Sequence, residues 1–210
     1  MKYAVTGIKS LQAVLKDLGP FIRDGHLIQR GQTFESMGLN LRELLGNWLL
    51  CVAVNSVTMP PDRLSFTSDP LGGDGIIRDT VTEETWPTEH VMVPNLPDNA
   101  CKDVEALILK AIDHKHKKGP TYARGKTLVV FLNEGNGAKW FPDNVAGQLP
   151  SPLHFEAVWV VGLQSIHEGE YVYNVTRLDL SRGHAPAWRV RISKEFDQWK
   201  VEPVGDQPAS

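Results

Sequence analysis

The stretch Ser68-Asp69-Pro70-Leu71-Gly72-Gly73-Asp74-Gly75-Ile76-Ile77 and the later Thr88-Glu89-His90-Val91 place one acidic residue on each of two neighbouring predicted strands. Paired strands lie about 4.8 Å apart, so the carboxylates of Asp74 and Glu89 can lie side by side. Two ionised carboxylates in a partly buried site are costly unless a cation neutralises them. The pattern therefore predicts a site for a divalent metal ion.

The composition is that of a globular protein, because 210 residues with 41% apolar and 22% charged side chains can bury a full core. We expect a single domain over residues 1–202 and a flexible tail over 203–210. The N-terminus has no apolar signal region, and the longest apolar runs fall short of the ~20 residues that span a bilayer. We therefore expect a cytoplasmic protein with no membrane partner. The net charge of −3 argues against nucleic-acid binding driven by the charge of the whole protein. Nucleic acid would have to bind at a local basic surface.

Apolar residues at helical spacing predict three main helices. The first contains Ile8 to Leu18 and is expected to end at Gly19-Pro20. The second contains Leu41 to Val52 and is expected to be central, because it has the strongest apolar stripe in the N-terminal third. The third covers residues ~100–116, with basic residues at its C-terminal end, where they complement the helix dipole.

Short apolar segments between turns predict the strands of a sheet. The expected strands are Leu64–Thr67, Gly75–Arg78, Glu89–Val93, Thr127–Leu132, Phe155–Leu163, Tyr171–Leu178 and Trp188–Ile192. The first three follow one another as a meander, and a short helix is expected over Phe141–Leu149. The fold class is therefore α/β (α+β), with a central mixed sheet of about five strands flanked by helices.

This order of elements, with acidic residues at Glu43, Asp74 and Glu89, resembles the PD-(D/E)xK nuclease superfamily and its restriction-endonuclease-like αβββαβ core. That family places an acid on the helix before the sheet, an Asp at the start of the second strand, and an acid two residues before a Lys in the third. The resemblance covers residues ~40–163. The chain departs from the family at Val91, which stands in place of the Lys.

The resemblance implies metal-dependent hydrolysis of phosphodiester bonds in nucleic acid. It implies that Asp74 and Glu89 bind Mg²⁺ or Mn²⁺ with the backbone carbonyl of His90, and that Glu43 supports the site or a second ion. Several basic residues are candidates to replace the absent Lys. They are His90 itself and three lysines of the following helix, Lys102, Lys110 and Lys115.

Contact with the nucleic acid is predicted at Lys115 and at the alternating Arg189 and Arg191, whose guanidinium groups suit phosphate. Many nucleases that cut both strands act as dimers, so a homodimer is retained as one of the alternatives for the oligomeric state. The alternative function is that of a binding module: a catalytically degenerate nuclease-like fold that binds nucleic acid or protein. Val91 in place of the Lys favours this alternative. Motifs of serine hydrolases, P-loop enzymes and zincins are absent from the sequence.

Two of the acidic candidates have a second interpretation. Glu43 follows Asn40 by three residues, so the pair could form a capping box at the start of the second helix. A symmetric hairpin centred near Glu84 would place Asp79, rather than Asp74, opposite Glu89. The pairing of Asp74 with Glu89 therefore requires an asymmetric connection between the two strands.

Overall fold

Groups of helices are followed by groups of strands along the chain. The structure is a computed structural model that describes residues 10–29, 33–34, 38–93, 103–132 and 139–205. The helices are α1 (Leu11–Arg23), α2 (Gly25–Gln29), α3 (Leu41–Asn55), α4 (Val104–His116), α5 (Pro120–Ala123) and α6 (Pro142–Ala146). The strands are β1 (Thr33–Phe34), β2 (Leu39–Asn40), β3 (Leu64–Thr67), β4 (Ile76–Asp79), β5 (Thr85–Val93), β6 (Thr127–Leu132), β7 (Ala157–His167), β8 (Glu170–Arg177), β9 (Ala187–Ile192) and β10 (Trp199–Val204).

The central sheet has eight strands in the order β10-β9-β8-β7-β6-β5-β4-β3, so the expectation of about five strands was wrong while the mixed α/β class is confirmed. The pairs β5–β6 and β6–β7 are parallel, and the other pairs are antiparallel. The larger number arises because β8, β9 and β10 return by short connections and extend the same sheet beyond β7. Strands β1 and β2 form a separate two-stranded sheet.

Helices cover both faces of the sheet. Helices α1 and α3 pack on one face with a large apolar cluster that includes Leu15, Leu45 and Trp48. Helix α4 and the short α5 and α6 contribute to a second cluster on the other face, with Ile108, Ile112 and buried residues of β6 and β7. Residues buried on both faces explain why β6 has a continuous apolar sequence.

The segment from α3 to β6 forms the centre of the fold. After α3, the strands β3, β4 and β5 form an antiparallel meander, and α4 then crosses over to bring β6 parallel to β5. The N-terminal half of α3, the segment just before β4, the middle of β5 and the end of α4 meet in one region. The expected acidic residues lie in these segments.

Helix α1 continues past Gly19-Pro20 to Arg23, so the expected end of this helix was wrong. A Pro inside a helix removes one backbone hydrogen bond and costs about 3 kcal/mol. Burial of Ile22 beyond the Pro offsets part of this cost. Gly19 is required for packing and not for ending the helix, because a Cβ there would lie 2.8 Å from Cγ of Phe196.

Strand β10 includes Pro203 and Val204, two residues beyond the expected end of the domain at residue 202. Pro is tolerated in this position because β10 is the edge strand of the sheet. Within the described ranges, no helix is both long enough and apolar enough to cross a lipid bilayer.

Candidate active site

The register of the β4–β5 hairpin brings Asp74 beside Glu89. Ile76 pairs with Pro87 and Arg78 with Thr85, so the hairpin is centred between Val81 and Thr82 rather than near Glu84. The Thr88 N–H donates to the Gly75 carbonyl at 2.8 Å, which continues this register beyond the paired residues to Asp74 and Glu89. The expected pairing of Asp74 with Glu89 therefore needs no asymmetric connection, and the alternative register, with Asp79 opposite Glu89, does not form.

Asp79 sets this register by closing the turn. Its Oδ1 accepts hydrogen bonds from the backbone N–H groups of Val81 at 2.8 Å and Thr82 at 3.1 Å. Its Oδ2 accepts from Nε of Arg63 at 2.7 Å. The hydrogen bond from Arg63 holds the pKa of Asp79 well below its usual range. The turn begins at Asp79, so Asp79 has a structural role and lies at the far end of β4 from Asp74.

Asp74 lies two residues before β4 and is held by the backbone of β5. Its Oδ2 accepts a hydrogen bond from the N–H of His90 at 2.6 Å. Burial raises the pKa of Asp74 above its usual range, and the charge on Glu89 adds to the increase against the hydrogen bond from His90. The raised pKa reflects mainly burial, which the charges of Lys115 and Arg42 only partly offset, and a bound cation would favour the ionised carboxylate.

Glu89 faces α4 and α5 and is surrounded by donors. Lys115 Nζ bonds Glu89 Oε1, and Lys126 Nζ lies 3.7 Å from Oε2. The hydroxyl of Tyr122 also hydrogen-bonds this carboxylate. Burial alone would raise the pKa of Glu89, but the bonds from Lys115 and Tyr122 and the charges of both lysines outweigh it and lower the pKa. Glu89 is therefore ionised at neutral pH.

Lys115 is the candidate lysine that the structure brings to the acidic residues. The side chains of Lys115 and Glu89 are only 14% and 13% exposed, so the pair is shielded from solvent and salt. Lys110 is exposed elsewhere on α4, and Lys102 lies outside the described residues. Val91, two residues after Glu89, packs against the apolar cluster of α4. The ammonium group thus approaches Glu89 from the helix rather than from the strand.

Glu43 completes the capping box at the start of α3. The Glu43 N–H donates to Asn40 Oδ1 at 3.0 Å, and the Asn40 N–H donates to Glu43 Oε2 at 3.1 Å. Burial raises the pKa of Glu43, and the nearby charge of Asp74 contributes to the increase. Glu43 therefore lies within electrostatic reach of Asp74 while both of its oxygens interact with Asn40.

The side chain of His90 lies on the opposite face of β5 from Glu89, because successive residues of a strand alternate. It packs under α3, where Nε2 lies 3.1 Å from Oδ1 of Asn47. Burial, with the charges of Arg42 and Lys115, lowers the pKa of His90 to about 3. The imidazole is neutral at physiological pH and does not face the carboxylate of Glu89, while the His90 backbone lies at the site.

Three residues of this region were missed in the sequence: Asn47, Tyr122 and Lys126. Asn47 is fully buried and donates from Nδ2 to the Asp74 carbonyl at 3.0 Å. The signal for it was a polar residue inside the apolar stripe of α3. Tyr122 and Lys126 approach Glu89 only through the turn at α5, so no local pattern indicated them.

Arg189 and Arg191 are not brought to the acidic residues. Both lie on β9, which is four strands from β5 and so about 19 Å away across the sheet. Arg191 forms an ion pair with Glu202 at 3.6 Å. They remain predicted nucleic-acid contacts, but only Lys115 of the predicted contacts lies next to Glu89.

The donor chemistry at Asp74 and Glu89 fits a hard cation such as Mg²⁺ or Mn²⁺. Such ions prefer carboxylate and carbonyl oxygens, and Mg²⁺ is often held by one or two carboxylates while it keeps several waters. In the part of the chain that the structure describes, no group of three His, Cys, Asp or Glu side chains is arranged to hold a metal. The protein therefore offers two carboxylates and a backbone carbonyl rather than a closed set of side-chain ligands.

A cavity of about 440 Å³ lies away from these residues, near the N-terminal end of α4. It is lined mainly by apolar side chains, including Val93, Val104 and Trp140. It shares no residue with the acidic cluster. The candidate active site therefore does not line this cavity.

No protein-family model matches the chain, and no curated protein matches it either. The function is therefore inferred from the geometry of Asp74, Glu89 and Lys115.

Proposed function

We propose that the protein is a metal-dependent nuclease that hydrolyses phosphodiester bonds. One observation supports the proposal above the others: Asp74, Glu89 and the ammonium group of Lys115 converge from three elements on one partly buried site. Two carboxylates side by side, one just before β4 and one on β5, with an adjacent ammonium, are groups that can neutralise charge in phosphoryl transfer.

Asp74 and Glu89 would hold Mg²⁺ or Mn²⁺, together with the backbone carbonyl of His90. The bound ion would supply Lewis-acid activation of the phosphodiester and of a water molecule. The raised pKa of Asp74 agrees with this assignment, because a bound cation would stabilise the ionised form of a carboxylate that burial and the charge of Glu89 disfavour.

Lys115 would provide the cation that Val91 does not. Its Nζ already bonds Glu89, so it is within reach of a phosphate bound at that carboxylate. An ammonium there would stabilise the negative charge that builds on the phosphoryl oxygens. Tyr122 and Lys126 would keep the Glu89 carboxylate oriented during the reaction.

The substrate would be nucleic acid held by the basic segment from His114 to Lys126, which contains five Lys and Arg residues and no acid. Lys118 and Lys126 both lie over the Tyr122 ring, with Nζ at 4.5 and 4.3 Å from its centroid. Lys117 and Lys118 are exposed next to the site. This local charge would bind a phosphate backbone despite the overall charge of −3.

A catalytically degenerate nuclease-like binding module is the second candidate. It is favoured by the ion pairs of Glu89 with Lys115 and Lys126, which already neutralise that carboxylate without a metal. Such a module would bind nucleic acid through the same basic segment and would not cleave it.

A cleavage assay separates the two candidates. Supercoiled plasmid, single-stranded DNA and RNA are incubated with the protein and Mn²⁺ or Mg²⁺, and EDTA serves as the blank. The variants are Asp74→Ala, Glu89→Ala and, as a matched removal of an exposed carboxylate, Glu170→Ala. A nuclease cleaves at least one substrate, loses cleavage in the first two variants and keeps it in the third. Binding without cleavage of any substrate at any metal concentration supports the module.

A further inference from the structure

Asn47, Asp74 and His90 form a closed ring of hydrogen bonds that joins α3, the start of β4 and β5. Asn47 Nδ2 donates to the Asp74 carbonyl at 3.0 Å, and the His90 N–H donates to Asp74 Oδ2 at 2.6 Å. The third contact links His90 Nε2 with Asn47 Oδ1 at 3.1 Å. Asp74 is thus held both by its backbone carbonyl and by its carboxylate.

The direction of each bond follows from the chemistry. A carbonyl oxygen can only accept, so the Asn47 amide must turn its Nδ2 toward Asp74 and its Oδ1 toward His90. His90 Nε2 must then carry the proton and donate to Oδ1. His90 Nδ1 is buried and has no hydrogen-bond partner among the described residues, as expected of a neutral imidazole protonated on Nε2.

The surroundings fit closely around the amide and the imidazole. A Cβ at Gly75 would lie 2.3 Å from Asn47 Nδ2, and a Cβ at Gly46 would lie 2.7 Å from Cε1 of His90. Gly75 also has φ +127°, which side chains rarely adopt. Two glycines therefore make the space that the amide and the imidazole fill.

We infer that Asn47 is a positioning residue of the acidic site: its amide, oriented by His90, holds the Asp74 segment so that the Asp74 carboxylate stays beside Glu89. Helix α3 therefore contacts the Asp74 segment through Asn47. Glu43, one turn earlier on the same helix, has both carboxylate oxygens bonded to Asn40. This inference deepens the proposed nuclease function and rests on it for its consequence in metal binding. Groups that orient metal ligands typically change metal affinity by about 10- to 100-fold when they are removed.

Asn55 provides a matched control on the same helix. It also joins α3 to a strand backbone, because Nδ2 donates to the Leu64 carbonyl at 2.9 Å and Oδ1 accepts from the Leu64 N–H at 2.7 Å. Its partner lies on β3, away from Asp74. Asn55→Ala therefore removes an equivalent structural link without touching the acidic site.

The experiment measures the amide proton shift of His90 by NMR in the metal-free, ¹⁵N-labelled full chain. A bond to a carboxylate moves this proton downfield, and Asp74→Ala defines the value without that bond. Asn47→Ala is expected to move the signal most of the way to that value, and Asn55→Ala is expected to leave it unchanged. Asn47→Asp, which nearly keeps the shape but lacks the Nδ2 donor, tests the same bond if Asn47→Ala does not fold.

A second readout is Mn²⁺ affinity by calorimetry, expected to weaken about 10- to 100-fold in Asn47→Ala and to stay unchanged in Asn55→Ala. The inference is overturned if the His90 amide keeps its wild-type shift in the folded Asn47 variants. If the shift moves but the wild-type protein binds no Mn²⁺, the nuclease function fails while the positioning role of Asn47 stands. If Mn²⁺ binds and neither readout changes in the Asn47 variants, the positioning role fails while the metal site stands.

Discussion

Lys115, in the last turn of α4, bonds the carboxylate of Glu89 in the middle of β5. Val91 lies two positions after Glu89 on β5 and packs in the apolar cluster formed with α4. The structure therefore places a positive charge at Glu89 from a helix that lies about 26 residues later in the chain.

Replacement of Lys115 by Met should separate cleavage from metal binding. We expect the cleavage rate to fall about 100-fold or more, because an ammonium that stabilises the developing phosphoryl charge is lost. We expect Mn²⁺ to bind at least as tightly as in the wild type, because a positive charge next to Glu89 is removed. Rates are measured on the best nucleic-acid substrate and affinity by calorimetry. Lys110→Met, an exposed change on the same helix, should alter neither, and wild-type cleavage by Lys115→Met would exclude the proposed role.

Replacement of Gly46 by Ala should destabilise the fold. The added Cβ would lie 2.7 Å from His90 Cε1 and 3.4 Å from Val129 Cγ1. Overpacking of this kind costs about 1 to 3 kcal/mol, against the roughly 1 kcal/mol that Ala gains over Gly inside a helix. We expect the free energy of unfolding in urea to fall by up to about 2 kcal/mol. Gly25→Ala has no atom within 4 Å of its new Cβ and should not be destabilised; equal effects in both variants would contradict the packing argument.

The neutral imidazole of His90 should make the fold less stable in acid. Its pKa is about 3 in the folded protein because of burial, and its usual value is 6.5. Between these two values the unfolded chain binds the proton and the folded protein does not, so stability is present above pH 6.5 and is lost as the pH falls toward 3. At pH 5 this loss is about 2 kcal/mol for one group.

The measurement compares urea unfolding at pH 7 and pH 5 for the wild type and for His90→Gln. The variant is less stable than the wild type at pH 7, but it has no imidazole that the unfolded chain can protonate. Its free energy of unfolding should therefore fall by about 2 kcal/mol less than that of the wild type between pH 7 and pH 5. Identical changes in the two proteins would show that the imidazole becomes protonated in the folded state.

The central elements could be predicted because their signals are local. Strand β6 was predicted with the bounds Thr127–Leu132 that it has, since a continuous apolar run between turns allows few other structures. Helix α3 was predicted from its apolar stripe, and Glu43 was recognised as one half of a capping box. Asp74 and Glu89 were recognised as a pair from their position on two predicted strands.

Other features depend on contacts between distant residues. Helix α1 continues through Pro20 to Arg23, and Gly19 packs against Phe196, which no pattern near residue 20 indicates. The β4–β5 register depends on the turn at Asp79, whose carboxylate accepts from the N–H groups of Val81 and Thr82 and also from the distant Arg63.

The same limit applied at the candidate site. The choice of Lys115 over the other candidate lysines depends on the crossover angle of α4, and the role of Asn47 depends on where β4 and β5 meet α3. Residue types and spacing therefore predicted the acids of the site, and tertiary structure determined their partners.

A Mn²⁺ titration by calorimetry of the wild-type protein, Asp74→Ala and Glu89→Ala, with Glu170→Ala as the control, tests directly for the metal site. We expect the wild type and the control to bind Mn²⁺ and both site variants to lose binding while they remain folded. Absence of Mn²⁺ binding by the folded wild-type protein at millimolar concentration, or undiminished binding by both site variants, would contradict a metal site at Asp74 and Glu89.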